Sequence, residues 1–222
     1  MLFPGGIEAT PNATLIMSAG AAVIYAAIVN TRPTLARTAV KTLAVALLAV
    51  LAFVENGPLL LFGGLALSAV GDAFLSRDGD RAFLGGLASF LAAFLLYVGL
   101  SFTTGAGSDI ILADIWRTVV AAVTCVLAIL MIGLLWRRWN PAMRLPILTY
   151  TLAAVVMGMA ALTRDSALII CGALTLIASD TLLATEKFLV SAISPHRSSM
   201  RVAVWVLYYV AQLLVALGFI LK

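Results

Sequence analysis

Two aspartates stand where carboxylates are costly. Asp72 lies in GGLALSAVGDAFL (63–75) and Asp180 in CGALTLIASDTLL (171–183), while most of the ten acidic residues sit between apolar segments or at their ends. A carboxylate at mid-membrane costs about 2.5–3.5 kcal/mol on insertion scales, and less toward the edge. Such residues usually face a protein interior and mark function. A pair of them can carry two chemistries. One carboxyl can deliver a proton while the other, as carboxylate, stabilises a positive centre and orients water. Alternatively, the two can relay protons along a transport path. A helix-end carboxylate that merely pairs with a loop arginine fits either Asp taken alone, but fits two at matching depth less well.

Other polar residues fall near the same leaflet. Ser68 and Ser76 lie four residues on either side of Asp72 and share its helix face. Lys41 begins an apolar segment, Lys187 follows one and Tyr150 lies in the first half of a third. Tyr208 and Gln212 are four apart and share a face. Tyr97 lies nearer the opposite leaflet. A Tyr or Lys at a membrane interface is usually an anchor, whereas an amide in hydrocarbon seeks a partner. Together these residues predict a polar chamber opening toward one leaflet.

Standard soluble chemistry is poorly served. His196, the single histidine, sits in a polar connection, so no Ser-His-Asp set can be assembled inside the membrane. No His/Cys/Glu group has zinc spacing, Asp78-Gly79-Asp80 is too short for a calcium loop, and no Gly-rich loop ends in Lys-Ser/Thr. Neither metal nor cofactor is expected. Cys125 and Cys171 fall in apolar segments and read as small core residues.

The elements that must position these groups follow from composition. Of the 222 residues 63% are hydrophobic and 11% charged, against about 25% charged in a soluble domain, and the mean hydropathy is +1.12. Lipid must be the solvent. The net charge of +4 does not point to nucleic acid, because the basic residues are scattered over short connections. A span needs roughly 20 apolar residues. Eight segments qualify: 13–30, 39–55, 58–76, 82–103, 114–136, 144–162, 166–185 and 202–221. The expected fold is therefore all-α, a polytopic membrane bundle of eight transmembrane helices forming a single transmembrane domain over 1–222. Met1 to Ala13 carries no Lys or Arg, so the first segment reads as a retained helix rather than a cleaved signal. Pro146 is expected in the first turn of the sixth span, where proline is tolerated.

Charge bias in short loops orients a bundle. With both termini outside, the cytoplasmic side receives Arg32, Arg37, Lys41, Arg77, Arg81, Arg137, Arg138, Arg144, Lys187, Arg197 and Arg201, and the outer side Arg117, Arg164 and Lys222. The expected location is a multi-pass protein of a cell membrane, a bacterial inner membrane by this reading. Gly64 and Gly172, like Asp72 and Asp180, are 108 residues apart. That offset suggests two four-helix halves, 13–103 and 114–221, running in parallel.

The segments SAVGDAFL (68–75), FLGGLASFLAAFLLYVGLSF (83–102), LPILTYTLAAVVMGMA (145–160), GALTLIASDTLLATEKF (172–188) and YYVAQLLVAL (208–217), in this order, resemble the YhhN family, which includes the animal lysoplasmalogenases. The resemblance implies a membrane hydrolase with a lysophospholipid substrate. It would cleave the vinyl ether of lysoplasmalogen to a fatty aldehyde and a glycerophospho-ethanolamine or -choline. It also implies that Asp72 and Asp180 match the family's acidic positions, and that Lys41, Tyr150, Lys187, Tyr208 and Gln212 match its polar, substrate-binding ones. The fourth span departs from many relatives, which carry His where this chain has Phe94.

Vinyl ethers resist base and yield to acid, so the implied reaction needs one carboxyl still holding its proton and one carboxylate. Lys187, seven residues beyond Asp180, offers that residue a counter-ion and points to Asp72 as the acid. Lys41 or Lys187 could hold the lipid phosphate, and Tyr150, Tyr208 and Gln212 could position glycerol hydroxyls or water. Two rival readings keep the same residues: a proton-coupled transporter of a small molecule or lipid, and a non-catalytic lipid-binding protein.

Overall fold

The structure, a computed structural model, describes residues 2–105, 107–191 and 193–221; Lys222, placed above on the outer side, lies outside the described residues. Among the described residues the chain is all helical, with 81% helix and no strand. The helices in order are α1 (Thr10–Ile28), α2 (Leu35–Val54), α3 (Leu59–Leu75), α4 (Asp80–Thr104), α5 (Asp109–Ala113), α6 (Ile115–Leu135), α7 (Pro141–Leu162), α8 (Ala167–Phe188) and α9 (His196–Ile220). Seven of these, all but α3 and α5, are long and apolar enough to cross a membrane. The predicted third span, 58–76, is trimmed at both ends, because Pro58 and Ser76 act as caps. Its 17 residues rise about 26 Å, somewhat less than the roughly 30 Å hydrocarbon core.

Local chemistry explains the other boundary differences. Thr34 caps α2 by accepting the Arg37 N–H at 3.1 Å. Asn140 accepts the Ala142 N–H at 3.2 Å, and Pro141 occupies the first helical turn, the pairing that starts helices. α7 therefore begins three residues before the predicted sixth span. Pro146 lies inside the helix rather than in its first turn, and it cannot donate to the carbonyl of Ala142. α9 begins at His196, six residues before the predicted last span. The short helix α5 fills a stretch with no predicted element.

Consecutive long helices pack as neighbours except α4 and α6, most extensively α3 with α4 and α8 with α9. Two glycines allow those close approaches. A Cβ on Gly64 would sit 2.3 Å from Tyr97 of α4, and one on Gly172 would sit 2.8 Å from Val215 and 3.0 Å from the Ala211 carbonyl of α9. α9 is central, touching α1, α2 and α3 as well as α8, and α4 packs on α7. Polar bolts fix α9: the Trp205 Nε1–H donates to the Ala22 carbonyl at 2.9 Å, and Tyr209 shares a 2.9 Å hydrogen bond with Ser18. By contrast, α6 buries only Arg117, Thr124 and Leu135. The outward faces carry exposed Leu, Ile, Val and Phe throughout, as lipid contact requires. Cys125 is half-buried and Cys171 exposed, so the latter belongs to this outer surface and not to the core.

Candidate active site

α3 places Asp72 one turn before its C-terminus, on the face turned to α2 and α9. The carboxyl is 1% exposed and fully engaged. Lys41 of α2 brings its Nζ to 3.0 Å from Oδ1, and the Tyr208 hydroxyl of α9 donates to Oδ2 at 2.7 Å. Aromatic rings wall in the ion pair. Lys41 Nζ lies 5.8 Å from the Tyr25 ring and 5.9 Å from the Trp205 ring, distances at which a cation is attracted to a π face. Phe90 meets Tyr208 edge-on at 5.6 Å. Ser76 donates to the backbone carbonyl of Asp72 at 2.7 Å and so closes the helix end rather than contributing to the chamber.

Asp180 on α8 has a sparser setting. It is half-buried, and the Tyr150 hydroxyl of α7 donates to its Oδ2 at 2.7 Å. No ion pair to Asp180 occurs among the described residues. Lys187, expected as its counter-ion, instead holds its Nζ 4.0 Å over the Phe83 ring. The neighbouring Ser179 donates to the Val204 carbonyl at 2.9 Å and ties this stretch of α8 to α9.

Both carboxyls line one cavity of about 580 Å³, a volume in the range of small-molecule sites. Lys41, Tyr150, Lys187 and Tyr208 share its wall. Its apolar part comes from α4, α6, α7 and α8, with Leu87, Met131, Ile147 and Ile177 among the contributors. Its mouth carries Arg37, Arg77, Arg197 and Arg201. Of the candidate residues, Gln212 alone is absent from the wall. It is 0% exposed and sits behind it, accepting from the Tyr97 hydroxyl at 2.9 Å and donating to Ser68 at 3.2 Å. Phe94 is likewise buried behind the wall, with its ring 5.2 Å from that of Tyr150. A histidine there would address the Asp180 hydroxyl partner and not the cavity itself.

The profile of the YhhN family matches residues 36–219. The chain belongs to the YhhN family. No match is found among curated proteins or among solved structures. The YhhN match covers all seven candidate residues, from Lys41 to Gln212, and leaves α1 outside it. α1 nevertheless supplies Tyr25 to the cavity wall. Several participants escaped sequence reading. Tyr97, placed nearer the opposite leaflet from the sequence and not among the candidate site residues, is the donor that satisfies Gln212. Trp205 walls in Lys41, and Glu186, not singled out from the sequence, is buried between Arg197 and Arg201. An acidic residue among the basic ones of the last connection was the available signal for Glu186. For Tyr97 and Trp205 there was none beyond residue type.

Proposed function

We propose that this YhhN protein is a membrane-embedded hydrolase that cleaves the vinyl ether of a lysoplasmalogen-type lipid by acid catalysis. The observation that carries the reading is the pairing of unlike carboxyls in one cavity: Asp72 neutralised by Lys41, Asp180 held by a hydroxyl alone. This reverses the roles expected from Lys187. Asp180 is the acid and Asp72 the standing carboxylate. Asp180 passes its proton to the outer alkene carbon, and the ether oxygen's lone pair completes an oxocarbenium ion. Asp72 stabilises that cation, with Lys41 and Tyr208 fixing its orientation. Water adds to the carbon bearing the oxygen and yields its proton back to the Asp180 carboxylate. The hemiacetal then breaks its carbon–oxygen bond to give aldehyde and glycerophospho-alcohol. Glycosidases meet a related cation with two carboxyls, which is an analogy of chemistry alone.

In this reading residues 1–222 form one transmembrane domain with eight crossings, α3 included, both termini outside and the cavity mouth toward the cytoplasm of a bacterial cell. Two features support paired halves. Gly64 and Gly172 make equivalent close contacts to the last helix of their half. The contacts of α4 with α7 and of α9 with α2 are those a two-fold exchange of halves would generate.

The Ser68–Gln212–Tyr97 chain, one turn deeper than Asp72, favours a second reading as a proton-coupled transporter. Purified protein in detergent separates the two, because transport needs a sealed membrane. Aldehyde release from choline and ethanolamine lysoplasmalogens, absent with saturated-ether lysolipids, is expected. No release from any of them would contradict the hydrolase.

A further inference from the structure

At the cavity mouth Glu186 is 6% exposed, a buried carboxylate facing two guanidinium groups. Arg197 pairs with its Oε1 through Nε, and Arg201 Nε lies 3.3 Å from the same atom. Each arginine thus commits the donor nearest its stem and keeps the terminal N–H groups of its fork. Among the described residues these terminal groups make no hydrogen bond, and both arginines line the cavity. Arg37, at the same mouth, differs: its Nη1 donates to the Val29 carbonyl at 3.3 Å and to that of Thr31. Lys187 follows Glu186 in sequence and lines the cavity too. The acidic groups at this rim are Glu186, already matched by Arg197 and Arg201, and Asp78 and Asp80, whose charges bear on Lys187. The rim is net positive, and its pinned forks suit an oxyanion.

Spacing relates this rim to the carboxyls. Glu186 is six residues beyond Asp180 on α8, about 9 Å along the axis, and Arg201 is seven before Tyr208 on α9, about 10 Å. In a lysoplasmalogen seven bonds separate phosphorus from the outer alkene carbon, roughly 9 Å when extended. We propose that Arg197 and Arg201, held by Glu186, form with Lys187 a docking site for the phosphate of a lipid head group, which sets the alkene at the carboxyls. This proposal rests on the hydrolase reading above. Arg197 and Arg201 touch the phosphate, whereas Glu186 is a positioning residue.

The experiment compares a 1-alkenyl-glycerophosphoethanolamine with the phosphate-free 1-alkenylglycerol of the same chain, at concentrations below KM. Wild type is expected to favour the phospholipid. Arg201→Gln, which leaves Arg197 to neutralise Glu186, should lower the ratio of the two kcat/KM values about tenfold, the scale of one charge-assisted hydrogen bond. A full saturation curve with the phospholipid should place the loss in KM. Arg201→Lys keeps the charge without the fork, should lower the ratio by less, and carries the test if Arg201→Gln does not fold. Inorganic phosphate is the second probe, expected to compete with the phospholipid in wild type and less well in Arg201→Gln. An unchanged ratio in both variants overturns the proposal. So does a phosphate ion that binds through Arg201 while the ratio stays constant, which would assign the cluster to a free anion. If wild type hydrolyses neither lipid, the hydrolase reading fails by itself. Binding of lysophosphatidylethanolamine against monoacylglycerol, in wild type and Arg201→Gln, then still decides the head-group site.

Discussion

Asp72 on α3 and Asp180 on α8 line the same cavity, yet one is saturated with partners and the other is not. Around Asp72 the protein spends an ammonium, a phenol and a cage of three further rings, from Tyr25, Phe90 and Trp205. Around Asp180 it spends one phenol and leaves the carboxyl half-buried against the cavity. Breaking a buried ion pair leaves an uncompensated charge, so the Asp72 station resists change of state. The Asp180 station has no such lock. A proton donor must change charge in every cycle, and under the proposed hydrolase reading the contrast favours Asp180 for that task.

The largest effect should come from the carboxyls themselves. Asp180→Asn and Asp72→Asn are each expected to reduce aldehyde release by at least about 10², the low end of general acid–base effects. Asp72→Asn should also perturb folding, since it strands Lys41. Turnover near wild type in either variant would remove that residue from the mechanism.

Next is stability, where the two stations should separate cleanly. Lys41→Met is expected to cost about 3–5 kcal/mol in unfolding measurements by leaving Asp72 buried and unpaired. Adding Asp72→Asn should recover much of that loss, a coupling a double-mutant cycle reads directly. An additive pair would show that the bridge does not matter energetically.

Smaller effects come from the phenols. Tyr208→Phe should cost about 1.5–3 kcal/mol, the scale of a hydrogen bond to a charged group. Tyr150→Phe should cost less, because water in the cavity can reach Asp180. Equal losses would erase the distinction drawn between the stations. The smallest effect is expected from Phe94→His, whose ring meets Tyr150 behind the wall. A modest change in turnover that disappears in a Tyr150→Phe background would place its influence through that tyrosine.

Much of this arrangement was legible in the sequence for one physical reason: apolar surroundings make a carboxylate or amide conspicuous. Asp72, Asp180 and Gln212 stood out on that ground. Partner choice was not legible. Lys41 and Asp72 are 31 residues apart on neighbouring helices, and only the packing of α2 on α3 aims one at the other. Lys187, closer to Asp180 in sequence, was attractive as a counter-ion. Two helical turns of separation gave no contact, and Phe83 took the ammonium instead. Apolar length identified the long helices but not their starts. Those depended on the Asn140-Pro141 start of α7 and on the polar first turn of α9, where hydropathy is silent.

The decisive measurement is hydrolysis of a lysoplasmalogen in D₂O by purified protein, with the aldehyde trapped as it forms and its mass read. Protonation of the outer alkene carbon from Asp180 should leave one solvent deuterium on the carbon next to the carbonyl, and Asp180→Asn should give neither aldehyde nor label above background. Aldehyde formed without that deuterium, or formed by Asp180→Asn at the wild-type rate, would contradict acid catalysis by Asp180.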